Sequence, residues 1–235
     1  MRVLIIAVLA LIGYVECREN KHPYLVSIEQ MAVIDTELIP LHICSGAIIS
    51  EKLVLTLASC TERFNVVDMR VRAGTVSFER DGIVKSIDMI VPHEKYTSSR
   101  MDYDIAIVHI REPFTFNKDV KALKLPTGTD APSVGSHATL TGWGVIDASM
   151  LLESVDLEMH VPIQCQNMYA PSMIYITDRM FCAGNTVRKT GCKTDPGSPL
   201  VSSNTLLGLS VLDVKCDRYP GIFTNVASLK KWINL

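Results

Sequence analysis

The segment HICSGAIISEKLVLTLASC, His42 to Cys60, decides how the chain is read. Two short apolar runs, Ser45–Ile49 and Leu53–Leu57, are parted by the polar Ser50, Glu51 and Lys52. Runs of this length, rich in Ile, Leu, Val and Thr and broken by turn-forming residues, are strands. The same grammar recurs at Tyr24–Ile28, Met69–Val76, Ile105–Ile110, Ala138–Gly142 and Leu206–Leu212. Many short strands at regular intervals predict a sandwich or barrels. One helix is expected, in the terminal NVASLKKWINL. There Val226, Leu229 and Trp232 or Ile233 recur at helical spacing while Lys230 and Lys231 face water.

The 235 residues suit one large all-β domain or two small ones with a sizeable core. No linker of biased composition divides them, so residues 18–235 are read as one compact unit. A net charge of −2 gives no basic excess for nucleic acid. There is no N-glycosylation sequon, zinc-type Cys/His spacing, phosphate-cradling glycine loop or internal repeat, so neither metal nor cofactor is expected.

Met1-Arg2, the apolar VLIIAVLALI and then GYVEC predict a secretory signal peptide over residues 1–17. The apolar run is too short to cross a bilayer, which needs about 20 residues, so no membrane association is expected. Cleavage after Cys17 places Val15 and Cys17 at the small-residue positions. A cut after Ala10 would give an unusually short leader, and a buried first strand is the alternative reading. Without Cys17 the cysteines are Cys44, Cys60, Cys165, Cys182, Cys192 and Cys216. An even set in an exported chain reads as disulfides, against free thiols in a cytosolic one.

A second cysteine-bounded segment, FCAGNTVRKTGCKTDPGSPL (Phe181 to Leu200), joins the first. With DYDIAIVHI (Asp102 to Ile110), TGWG (Thr141 to Gly144) and YPGIFTNV (Tyr219 to Val226), the segments stand in the order of a chymotrypsin/trypsin-like serine protease domain. The resemblance covers nearly the whole chain. It implies an all-β fold of two six-stranded antiparallel β-barrels with a short C-terminal helix, the active site lying in the cleft between the barrels. It also implies the disulfides Cys44–Cys60, Cys165–Cys182 and Cys192–Cys216. In the chain-entropy account, closing the first of these loops is worth about 3 kcal/mol.

Such an enzyme needs a serine nucleophile, a histidine base, an orienting aspartate and two backbone N–H donors for the oxyanion. The family's base precedes the cysteine of a motif like TAAHC; here TLASC places Ser59 there. A serine hydroxyl has no pKa near neutrality and cannot act as a general base. The acid is retained as Asp104 in DIAIV, with no imidazole to orient, and reads as a polar residue satisfied by neighbouring backbone N–H groups. The nucleophile motif, like GDSGGP in relatives, stands as TDPGSP. Pro196 replaces the serine and also lacks the N–H of one oxyanion donor. Thr194 replaces a glycine whose backbone shape resists β-branched residues. One lost donor costs about 10² to 10³ in rate, and a lost nucleophile or base about 10⁶. The chain is therefore predicted to be an inactive homologue, not an enzyme. A rewired or residual hydrolase using His42 and Ser198 is the alternative.

In active relatives the acid matching Asp195 pairs with a new N-terminus released at a motif like R-IVGG. The nearest match here, LIGYVEC (Leu11 to Cys17), merges into the predicted leader with no basic residue before it. Inactive precursors pair that acid with a His and a Ser, which correspond to His42 and to Ser27 of PYLVSI. Either Asp195 is held by His42 and Ser27 in a permanently precursor-like state, or these are retained framework residues. The specificity-pocket positions are Thr190, Asp213 and Gly221. Thr190 stands where trypsin has its basal aspartate, so no preference for Arg or Lys is expected. Asp213, in the VLD that replaces a relative's SWG, should narrow the pocket mouth. Paired calcium-loop carboxylates are missing after Gly74.

A secreted scaffold without catalysis is similar to the non-catalytic serine protease homologues of arthropods and to inactivated mite protease paralogues. The resemblance implies a protein-binding role as decoy, cofactor or modulator of proteases or host-defence cascades, by a monomer. A structural or storage role is the remaining class. One surface candidate is IEQMAVIDTELIPLHI, between Ser27 and Cys44, longer than the matching trypsin loop. Its Met31, Val33, Ile34, Leu38, Ile39 and Leu41 suit either an extended hairpin packed on its own barrel or an exposed partner contact.

Overall fold

The computed structural model describes residues 20–77, 81–128, 131–144, 152–184, 195–212 and 219–234. Its first six strands are β1 (Leu25–Ile34), β2 (Glu37–Ile48), β3 (Leu53–Thr56), β4 (Met69–Ala73), β5 (Ile83–Pro92) and β6 (Ala106–Ile110). They close into a barrel in the order β1-β2-β3-β6-β5-β4. Inward positions are filled by fully buried aliphatic side chains, among them Val26, Ile28, Ile48, Val54 and Val71. This is what the His42–Cys60 segment predicts: its two apolar runs become the ends of β2 and β3, paired Ala47 to Leu55 and Ile48 to Val54.

The second half contains β7 (His137–Gly142), β8 (Glu153–Glu158), β9 (Met180–Ala183), β10 (Pro199–Ser202), β11 (Thr205–Leu212) and β12 (Gly221–Asn225). These form a six-stranded antiparallel sheet in the order β8-β7-β10-β11-β12-β9. The two six-stranded antiparallel units that the resemblance implies are both present, the first a closed barrel and the second a half-barrel. Among the described residues the half-barrel's outer strands meet at the bridge Met159 to Ala183, where His160 N donates to Cys182 O and Gly184 N to Glu158 O. Three residues past that bridge, Pro162 opens helix α1 (Pro162–Tyr169). A proline has no N–H to extend a ladder, and its fixed φ suits the first helical position.

Helix α1 is an element that the sequence pattern did not reveal. It buries Cys165 and Tyr169, one turn apart, and Cys165 is bonded to Cys182 of β9. The predicted terminal helix, α2 (Val226–Ile233), is present. The Asn225 side chain caps it by accepting from Ser228 N at 3.4 Å, and Val226, Ala227, Leu229 and Ile233 face the core. Lys230 and Lys231 occupy its last turn, where cations complement the helix dipole.

Several hydrogen bonds join the halves, two of them beside the cleft. Ser45 N in β2 donates to the Pro196 carbonyl at 2.8 Å. Thr224 Oγ1 in β12 donates to the Asp104 carbonyl at 2.8 Å.

Candidate active-site cleft

Beyond β3 the chain runs through the buried Leu57 and Ala58 to half-buried Ser59. The next residue, Cys60, is bonded to Cys44 of β2, which fixes Ser59 at the edge of the barrel. Asp104 enters from the segment before β6. Ser59 N donates to Asp104 Oδ1 at 2.8 Å, and Ser59 Oγ donates to Oδ2 at 2.7 Å. One backbone N–H and one hydroxyl thus engage both carboxylate oxygens. Asp104 is buried, and burial pushes its carboxyl up, opposed by the bonds from Ser59 and the Ala58 N–H.

These residues line a cleft of about 520 Å³ that also includes Tyr96, Arg63, Pro196 and Val211. The Tyr96 phenol is pushed up to about 12 by burial and by the negative charges of Asp104 and Glu62. It therefore keeps its proton at neutral pH. Pro196 is exposed on the cleft and offers neither hydroxyl nor N–H. The turn that follows depends on glycine. Gly197 has φ +81°, and a Cβ there would collide with the Ser45 carbonyl. Its N–H donates to Ser210 O at 2.8 Å.

Asp195 points away from the cleft into the protein and is 1% exposed. Its Oδ2 accepts from Trp143 N at 2.8 Å and from Ser45 Oγ at 3.0 Å. His42 Nε2 lies 3.3 Å from the same oxygen, and His42 Nδ1 lies 2.7 Å from Ser27 Oγ. The structure thus brings Asp195, His42 and Ser27 into one chain of contacts. Burial alone would raise the Asp195 carboxyl. The bond and charge of His42, with the Trp143 and Ser45 donors, outweigh it and hold the group below the ordinary carboxylate range. The Trp143 ring packs edge-on against His42, with centroids 5.5 Å apart.

Sequence reasoning missed Ser45 and Trp143. Ser45 lies beside the first cysteine, but its hydroxyl's partner is 150 residues away. Trp143 contributes a backbone N–H, which leaves no trace in residue type. Ser198 is fully buried, and among the described residues neither its Oγ nor Asp195 Oδ1 has a hydrogen-bond partner. Gly142 lies so close to Ser198 Oγ that a Cβ would not fit.

Gly221 opens β12 opposite Ala183. Thr190, Thr194, Asp213, Cys192 and Cys216 lie outside the described residues. Cys44–Cys60 and Cys165–Cys182 are formed as the resemblance implied. Among the described residues no His/Cys/Asp/Glu cluster could hold a metal ion, and no helix is long and apolar enough to cross a membrane.

Comparison with known proteins agrees with this architecture. The Trypsin family model matches residues 11–233. Trypsin epsilon of Drosophila erecta is 30% identical over 230 residues, covering 95% of this chain and 86% of the relative. The crystal structure of scabies mite inactivated protease paralogue S-I1 is 26% identical with a TM-score of 0.77, covering 92% of this chain and 95% of that one. Paralogue S-D1 of the same mite is 22% identical with a TM-score of 0.80, covering 92% of each chain. The chain belongs to the trypsin-like serine protease family.

Proposed function

We propose that this protein is a non-catalytic member of its family, exported after loss of residues 1–17, and that residues 18–235 act by binding another protein. One observation carries the reading: Ser59 occupies the base position and engages both oxygens of Asp104, at 2.8 and 2.7 Å. Acyl transfer requires an oxygen nucleophile that gives up its proton to a base as it attacks. Pro196 has no oxygen to offer on its side chain. Ser59 cannot accept the proton near neutrality, and Tyr96 already holds its own. His42 is turned to Asp195 and Ser27. With nucleophile, base and the Pro196 N–H all missing, the losses reach about 10⁶ or more in rate.

The contacts among Asp195, His42 and Ser27 support a permanently precursor-like state. The rewired alternative is disfavoured because Ser198, its candidate nucleophile, is fully buried. Solved relatives at 26% identity include one described as an inactivated protease paralogue. An intact scaffold without chemistry suits a decoy, cofactor or modulator of proteases or host-defence components.

The test is direct. The purified mature chain is treated with a fluorophosphonate probe and with broad fluorogenic peptide and ester substrates; no covalent label and no turnover are expected. A phosphonyl adduct, or turnover that disappears in His42→Ala or Ser198→Ala, overturns the reading.

A further inference from the structure

We infer that the far end of the β1–β2 hairpin is a docking arm for a protein segment that is both apolar and positively charged. This rests on the binding role proposed above and names the surface and the chemistry of the partner.

The arm begins where the barrel wall ends. β4 pairs with β1 only over Val26–Gln30, and β3 pairs with β2 only at Ala47 and Ile48. Met31–Ile34 and Glu37–Pro40 therefore pair with each other and, among the described residues, with no other strand. Asp35 and Thr36 close the ribbon with φ of 49° and 75°, the backbone of a tight two-residue hairpin turn.

The arm is apolar where it meets water. Val33 and Leu38 face each other across the ribbon and are 73% and 63% exposed; Ile34 is 44% exposed. Val67, in the short helical turn Val66–Asp68 beside β1, is 90% exposed. Exposed apolar side chains scattered singly need no explanation, whereas a group on an unpaired ribbon does. Free strand edges are usually guarded by lysine. Here the guard is absent: no Lys or Arg occurs from His22 to Glu51. Of the two readings of this hairpin, packed on its own barrel or exposed, the tip follows the second.

Charge selects the occupant. Asp35, Glu37 and Asp68 are all exposed around the apolar group. On the neighbouring strand β4, Arg70 and Arg72 are drawn inward onto Glu29 at 2.6 Å each, and Arg72 also donates to the Asp81 carbonyl. One net positive charge in that triad faces three carboxylates. A second copy fits poorly, because a two-fold contact through the tips brings Asp35 and Glu37 of both chains together. Glu29 is fully buried at the base of the arm, so the ribbon is fixed before binding, which lowers the ordering cost of association.

The experiment uses the full mature chain, isotope-labelled, and two synthetic peptides of alternating Val/Ile with Lys or with Glu. The Lys peptide should shift the amide signals of Val33, Leu38 and Val67, and its affinity should fall as salt rises past about 0.15 M. Val33→Asp with Leu38→Asp should weaken it by about tenfold or more, with an unchanged thermal transition showing that the fold is intact. Asp35→Lys with Glu37→Lys should transfer the preference to the Glu peptide. Equal binding of both peptides, shifts centred on Ser59 and Tyr96, or a concentration-dependent dimer dissolved by Val33→Asp would each overturn the inference. Phosphonate labelling of the same sample separates the two readings: an adduct sinks the non-catalytic one and leaves the arm's binding as measured.

Discussion

Asp195→Asn tests the buried network most sharply. The carboxylate is 1% exposed, accepts from Trp143 N and Ser45 Oγ, and lies 3.3 Å from His42 Nε2. Removing one partner of a buried, hydrogen-bonded charge pair costs about 3–5 kcal/mol. The Asn carbonyl can still accept from Trp143 and Ser45, which places the expected loss near about 3 kcal/mol. For a domain of this length each kcal/mol moves Tm by about 2–4 °C, so the variant should melt about 6–12 °C lower. The pH dependence has a definite sign. The folded Asp195 carboxyl is held below the ordinary 3.8, so its stabilisation is fully present above 3.8 and fades as pH falls through the folded value. Calorimetry from about pH 3 to pH 8 should show a constant gap at neutrality that closes in acid. Ser27→Ala should cost only about 1 kcal/mol alone and be non-additive with Asp195→Asn, since both act on His42. Equal melting of wild type and Asp195→Asn at neutral pH, or a gap that widens in acid, refutes the reasoning.

Two further substitutions probe neighbouring charges. Asp104→Asn can keep both Ser59 contacts while removing a charge that burial disfavours. Wild-type stability from the neutral acid is present below 3.8 and lost as pH rises through the raised folded value, so the variant should gain on wild type by up to about 1 kcal/mol between acid and neutral pH, read from urea midpoints. Glu29→Gln leaves two guanidinium groups facing each other and should cost about 3 kcal/mol, low in the usual range because the Arg70 side chain is 24% exposed; an unchanged urea midpoint would show that the triad does not anchor the arm.

What the sequence disclosed follows from how much apolar pattern each element carries. β3, β6 and β7 lie on continuous apolar runs and were readable to within a residue or two. β5 was not, because Lys85, Ser86 and Asp88 interrupt IVKSIDMIVP and only Ile87 is buried. β8 likewise buries only Leu157, and β9 is four residues long. α1 has no apolar stripe beyond Cys165 and Tyr169, although Pro162 at its first position was an available signal. In the cleft, Ser59, Asp104 and Pro196 were legible because motif spacing places them. The donors that hold Asp195 were not, since a backbone N–H and a distant hydroxyl have no local signature.

The substitutions at the proposed catalytic positions share a physical logic. Losing an imidazole beside a buried aspartate would ordinarily leave an uncompensated charge, a cost of several kcal/mol. Ser59 offsets part of that cost, because its own N–H and hydroxyl engage both oxygens of Asp104 within 2.8 Å. Pro196 gives up a hydroxyl and an N–H, yet its carbonyl still receives Ser45 N at 2.8 Å, so the tie between the two halves survives. Both replacements remove reactive atoms and keep structural ones.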